Sequence, residues 1–165
     1  MQTYIELALE LKMLHARLIT PEDMAFDIRT LLKCRWGCEN HDNKSFKCQE
    51  RRTSFEERLQ MIKAYKNILF IHSNDGGDVS RAGLEIERRA FLDGNPLAFA
   101  VRYCNLCKKC AVDENLPCVQ PEKVRPCEAL FGIDVYETAK RHGLPCYPLQ
   151  HKDEVQNRYG FVCIS

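Results

Sequence analysis

Ten of the 165 residues are cysteines, and five of them, Cys104, Cys107, Cys110, Cys118 and Cys127, fall within a stretch of 24 residues. The first three read C-x-x-C-x-x-C. In that spacing the chain wraps tightly enough for successive thiolates to reach different corners of one small object. Soft thiolate donors in such a wrap suit a four-iron, four-sulfur (4Fe-4S) cubane. The cluster needs a fourth thiolate, for which Cys118 is the first choice and Cys127 the second. The segment departs from the simplest ferredoxin run, where the fourth cysteine follows soon after the third and precedes a proline. Here the gap from Cys110 is longer and Pro117 comes before Cys118. Zinc is the alternative metal. It prefers two ligand pairs separated by a longer stretch, so it fits this spacing less well. Lys108 and Lys109 lie inside the loop, where they can raise the potential of an anionic cluster or simply form a solvated surface.

A second constellation lies upstream: Cys34, Cys38 and Cys48, with His41 between them. Three thiolates alone would leave one iron of a cubane without a protein ligand, and an open iron acts as a Lewis acid. Alternatively His41 closes a set of three thiolates and one imidazole, which zinc also accepts, or Cys127 or Cys146 crosses over to supply the fourth thiolate. The loop around these cysteines is polar and has little apolar content with which to order itself, so an organising ion is expected. The competing reading is a set of unligated thiols.

These segments need a scaffold. Tyr4, Leu7, Leu11, Leu14 and Leu18 recur at helical spacing and predict an amphipathic helix over 3–18. The run Thr20-Pro21-Glu22-Asp23 reads as a cap with proline in the first turn of a helix towards Leu32, although residues 28–33 also suit a strand. Ser54-Phe55-Glu56-Glu57 is a capping box opening a helix. Residues 67–72 (NILFIH) read as a buried strand, 74–78 as a turn, and Ser80 as the cap of a helix ended by Gly94. Residues 97–103 form a strand that delivers the chain into Cys104. Residues 104–127 are a ligand loop, Asp134 caps a helix closed by Gly143, and 145–149 and 159–164 are further strands. The expected fold is α/β: a small central sheet with flanking helices and two cysteine-rich metal loops, in a single domain spanning 1–165.

Composition narrows the function. A net charge of +1 gives no general attraction for nucleic acid or an anionic membrane. No apolar run approaches the ~18–20 residues needed to cross a bilayer. The first 20 residues carry Glu6, Glu10, Lys12 and Arg17 and do not read as a signal peptide. A cytoplasmic, reducing compartment is therefore expected, and it disfavours disulfides. Asn74-Asp75-Gly76-Gly77-Asp78 lacks the phosphate-loop and dinucleotide patterns. Trp36 and Tyr103 flank ligand cysteines, either shielding clusters or packing in the core. Cys146 and Cys163 lie in apolar contexts, where cysteine behaves as a small hydrophobe.

Several stretches together resemble a family of predicted metal-binding proteins, a domain of unknown function found in anaerobic bacteria and archaea. They are Lys33-Cys34-Arg35-Trp36-Gly37-Cys38 with Cys48, Leu84-Glu85-Ile86-Glu87-Arg88-Arg89-Ala90-Phe91-Leu92-Asp93-Gly94, Cys104-Asn105-Leu106-Cys107-Lys108-Lys109-Cys110 with Cys118, and Arg125-Pro126-Cys127-Glu128-Ala129-Leu130-Phe131-Gly132-Ile133-Asp134-Val135. The resemblance spans residues 33–143. It implies bound metal, iron–sulfur in kind, in a cytoplasmic protein, and it implies no particular reaction. The family pattern has Cys-Pro-Pro where this chain has Cys48-Gln49-Glu50, which leaves the upstream cluster more exposed. It has serine where this chain has Cys127, an additional ligand here. The expected role is redox or electron transfer through one or two 4Fe-4S clusters, with a partner protein or small molecule. The alternatives are a structural zinc module and an enzyme using an open upstream iron.

Overall fold

The run Ile68-Leu69-Phe70-Ile71 is apolar on consecutive residues, so a strand built from it must be covered on both faces. In the computed structural model, which describes residues 1–38 and 48–165, it forms β2 (Ile68–Ser73), buried along its whole length. It pairs with β1 (His15–Ile19) on one side and β4 (Arg158–Cys163) on the other, and β3 (Phe99–Val101) pairs with β4. The sheet order is β1-β2-β4-β3, with every pairing antiparallel.

Successive strand residues point to opposite faces. Leu69, Ile71 and Val162 meet Tyr4 and Ala8 of α1 (Gln2–Glu10) and Val79, Ala82, Ile86 and Ala90 of α4 (Gly76–Leu92). On the other face Ile68, Phe70 and Phe161 meet Ile62 of α3 (Phe55–Lys63), Ala139 of α5 (Val135–Arg141) and Leu31 of α2 (Ile28–Gly37). The fold is thus α/β, with helices on both faces of a four-stranded sheet. Among the described residues no helix is long and apolar enough to cross a membrane.

Local signals hold where side chains close their own caps. Ser54 and Glu57 form the reciprocal capping box of α3, and Asp134 caps α5, which Gly143 terminates at φ +67°. Four expectations need correction. The helix over 3–18 stops at Glu10, because Lys12 takes φ 67° and the chain turns into β1. There the Leu14 N–H donates to His72 O at 2.8 Å, so sheet pairing wins over leucine periodicity. The Thr20–Asp23 cap encloses only a 3-10 turn (Pro21–Asp23), and α2 starts afresh at Asp27, making residues 28–33 helical. The predicted turn at 74–78 is the start of α4, capped by Asp75. A Cβ on Gly76 would lie 2.9 Å from an Arg102 guanidinium nitrogen, and one on Gly77 would lie 3.0 Å from Asn105 O. These glycines therefore serve close approach rather than a turn. Finally, residues 145–149 form no strand.

One polar pair interrupts the apolar face. His72 is 1% exposed, and its Nδ1 lies 2.9 Å from Nδ1 of His15, while its Nε2 lies 2.9 Å from Asn157 Oδ1. Burial pushes the His72 imidazole below its usual value of 6.5, and the neighbouring His15 adds to the effect, against the Asn157 hydrogen bond. The folded state therefore prefers neutral His72, and the unfolded chain takes up more protons. Stability from this residue is complete above pH 6.5 and is lost as the pH falls through the lower folded value. Urea midpoints should fall on acidification through that window. A His72→Gln variant should show a flatter profile, and an unchanged profile would refute the assignment.

Candidate metal centre

Asp27 caps α2 by accepting the Arg29 N–H at 2.8 Å, and Leu31 anchors the helix to the core at 2% exposure. Cys34 therefore sits on a helix rather than in the polar loop expected for it. Cys38 follows one turn later, its N–H donating to Cys34 O at 3.0 Å. Residues four apart share a helix face, so both thiols point the same way.

Against this helix packs the 3-10 turn Glu128–Phe131, which Cys127 precedes. The Asp27 N–H donates to Gly132 O at 2.7 Å and the Asp134 N–H to Ala25 O at 2.8 Å, which hold the turn in place. Gly132 takes φ +70°, a left-handed conformation that suits glycine, and a Cβ there would lie 2.8 Å from the Phe55 ring. As a result Cys34, Cys38 and Cys127 line one cavity of about 700 Å3.

The thiols sense one another. Burial pushes Cys34 up to about 11, and the charges of Cys38 and Cys48 and a hydrogen bond with Cys38 add to the shift. Burial also pushes Cys127 well above its usual value, with Glu128, Cys34 and Cys48 contributing and the Ala129 N–H opposing. Cys48 is thus coupled to both. Cys34 and Cys127, poorly solvated and near other thiols, resist ionising unless a cation compensates them. This donor set fits a thiophilic metal. None of the ten cysteines forms a disulfide. Among the described residues no group of three or more His, Cys, Asp or Glu side chains already stands at metal-ligating spacing, so binding requires the thiols to draw in. His41 lies outside the described residues.

The downstream loop is arranged differently. β3 leads into it, and Cys104, Cys107, Cys110 and Cys118 are each half-buried along a path whose regular structure is a 3-10 turn, Ala111–Glu114. Gln120 Nε2 donates to Cys107 Sγ at 4.0 Å. These four thiols, like the first set, do not stand at metal-ligating spacing. Lys109 pairs with Glu114, which favours the solvated-surface reading of that lysine.

Sequence reasoning missed Arg102 and Glu128. Glu128 is 5% exposed, accepts the Tyr103 N–H at 3.2 Å and faces Arg102 at 3.4 Å. The Arg102 N–H donates to Pro126 O at 3.1 Å, and Arg102 Nε has no partner among the described residues. Residues immediately before Cys104 and around Cys127 are thereby stitched together. The only sequence signal is a charged residue near each cysteine, which is too common to decide anything. Trp36 is 91% exposed, so it neither shields the site nor packs in the core. Cys163 is fully buried and pushed up to about 12, chiefly by burial, consistent with a small hydrophobe.

Fold and site together describe an α/β scaffold that carries two thiol-rich segments suited to metal. Residues 17–164 match the family model described as Predicted metal-binding protein (DUF2284), and the chain belongs to that family. No curated protein and no solved structure matches it.

Proposed function

We propose that this is an iron–sulfur protein that moves electrons, with Cys34, Cys38, Cys48 and Cys127 holding one cluster and Cys104, Cys107, Cys110 and Cys118 a second. The supporting observation is that Cys34, Cys38 and Cys127, from segments far apart in sequence, line one cavity, with Cys34 and Cys127 each raised by burial and by neighbouring thiols that include Cys48. Cys127 supplies the thiolate that the upstream set lacks in sequence. Four protein thiolates favour an electron-transfer centre over an open iron acting as a Lewis acid. Bound clusters would supply one-electron redox chemistry; the residues supply charge compensation, burial and a rigid join through Glu128. The partner is a redox protein or small molecule, in a cytoplasmic setting.

Zinc is the second reading for the α2 site, because two helix-borne thiolates plus two remote ones also make a tetrahedral set of four cysteines. Anaerobic purification followed by iron, zinc and acid-labile sulfide analysis separates the two. Brown protein containing iron and sulfide supports the redox reading. Colourless protein containing zinc supports the structural one, and protein without either metal defeats both.

Protons should compete with the metal. A thiol raised to about 11 stays protonated near neutrality, so loading must release its proton. Apparent affinity should rise by about tenfold per pH unit for each proton released. Metal competition against a chelator between about pH 6 and pH 8 checks this, once the chelator's own protonation is allowed for. A flat dependence would show that the thiols were already ionised.

A further inference from the structure

The cavity above Cys34, Cys38 and Cys127 has charges that the fold does not use. Residues of α2 and of α5 line it. The acidic groups around it are committed. Asp27 caps α2 and pairs with Arg29, Asp134 caps α5, Glu128 holds Arg102 and Tyr103, and Glu137 faces Arg141 at 3.7 Å. Arg29 is consumed by Asp27, which its guanidinium grips through Nε at 2.7 and 3.0 Å. Two cations remain, Lys33 on α2 and Lys140 on α5, and neither has an ion-pair partner among the described residues. Tyr136 also lines the space, and its hydroxyl has no hydrogen-bond partner among those residues. Ala129, Ile133 and Val135 give the lining an apolar part.

We propose that this cavity binds a small organic oxyanion, a carboxylate or phosphate ester with a short apolar body. Lys33 and Lys140 would clamp the anionic group, Tyr136 would donate to it, and the body would rest on Ile133 and Ala129. Three observations support the choice. The volume of about 700 Å3 suits a metabolite-sized molecule. Lys33 and Lys140, carried by two different helices, are the lining cations without a carboxylate partner among the described residues, so an anion can draw on both. α2 packs against the turn after Cys127 and α5 follows that turn, so both lysine-bearing helices belong to one frame. The inference rests on the metal reading for its role, since it places the ligand beside the cluster, but binding of the oxyanion does not itself require metal.

Trp36 is the chain's one tryptophan and lies on α2 between Cys34 and Cys38, so its fluorescence follows changes in that helix. The test titrates the metal-loaded full chain with inorganic phosphate and with succinate, using chloride at equal ionic strength as the baseline, and cross-checks by calorimetry. Saturable binding of either probe is expected. Phosphate alone would assign a phosphate ester, and succinate alone a carboxylate. The double variant Lys33→Gln/Lys140→Gln should bind at least about tenfold more weakly. Lys12→Gln follows α1, on the opposite face of the sheet, and should bind like the parent. Repeating the titration on Cys34→Ser separates the two readings. If that variant lacks metal and still binds, the cavity stands by itself. If a normally loaded parent binds neither probe, or the double variant binds like the parent, the proposal is overturned while the metal reading survives.

Discussion

Replacing Cys127 with serine is expected to strip the metal from the α2 site and leave the downstream loop loaded. Serine is nearly isosteric, but its hydroxyl does not ionise near neutrality, so the fourth anionic donor is lost. Burial adds to the effect, because little water reaches this position to take the vacant place. Cys34→Ser should behave the same way, since Cys34 and Cys127 belong to one set. Cys118→Ser should do the reverse, sparing the α2 site and emptying the loop. Iron and sulfide per chain, with electron paramagnetic resonance of the reduced protein, read out both losses. Should Cys127→Ser retain the parent's full metal content, or lose the same centre as Cys118→Ser, the assignment of Cys127 fails. Spacing alone makes Cys118 the first choice for the downstream loop, with Cys127 next in line. The packing of α2 on the turn after Cys127 brings Cys127 to the same cavity as Cys34 and Cys38, which is why we assign it to that set.

Glu128→Ala should produce the largest loss of stability. It removes the acceptor of the Tyr103 N–H and leaves Arg102, 9% exposed, without its carboxylate. Breaking a buried pair from one side costs about 3–5 kcal/mol, because the surviving charge stays buried without compensation. A domain of this kind is stable by only about 5–15 kcal/mol, so about a fifth of the total or more is at stake. Glu128→Gln keeps an acceptor for the Tyr103 N–H and should fall between parent and alanine. Urea denaturation of the metal-free chains measures the effect without interference from metal linkage. A loss below about 1 kcal/mol for the alanine variant would show that the pair is solvated in solution. The same substitution should also loosen the entry to the downstream loop, because Tyr103 adjoins Cys104.

The candidate ligands were legible because thiol spacing is a local property. C-x-x-C-x-x-C and the Cys34–Cys38 pair need no tertiary knowledge to be noticed. The caps at Ser54 and Asp134 were equally local, each closing within three residues of its own side chain. The buried strand at β2 was readable because its apolar run has no polar face to present.

The errors arose where local signals conflicted with distant partners. The leucine pattern of residues 3–18 is genuinely helical, yet its second half is drawn into the sheet by pairing with β2 across more than fifty residues. The glycines at 76 and 77 look like a turn, and their real constraint comes from Arg102 and Asn105 on another segment.

Thiol count, spacing and the absence of a strong net charge were written into the chain, and they set metal as the chemistry. Which thiols from distant segments come near one another was decided by the fold. It packs the cysteine-bearing end of α2 against the turn that follows Cys127 and buries Glu128 between the two cysteine segments. Coordination needs donors within a few ångströms of one point, and residues distant along a chain reach that closeness only through the packing of the elements that carry them.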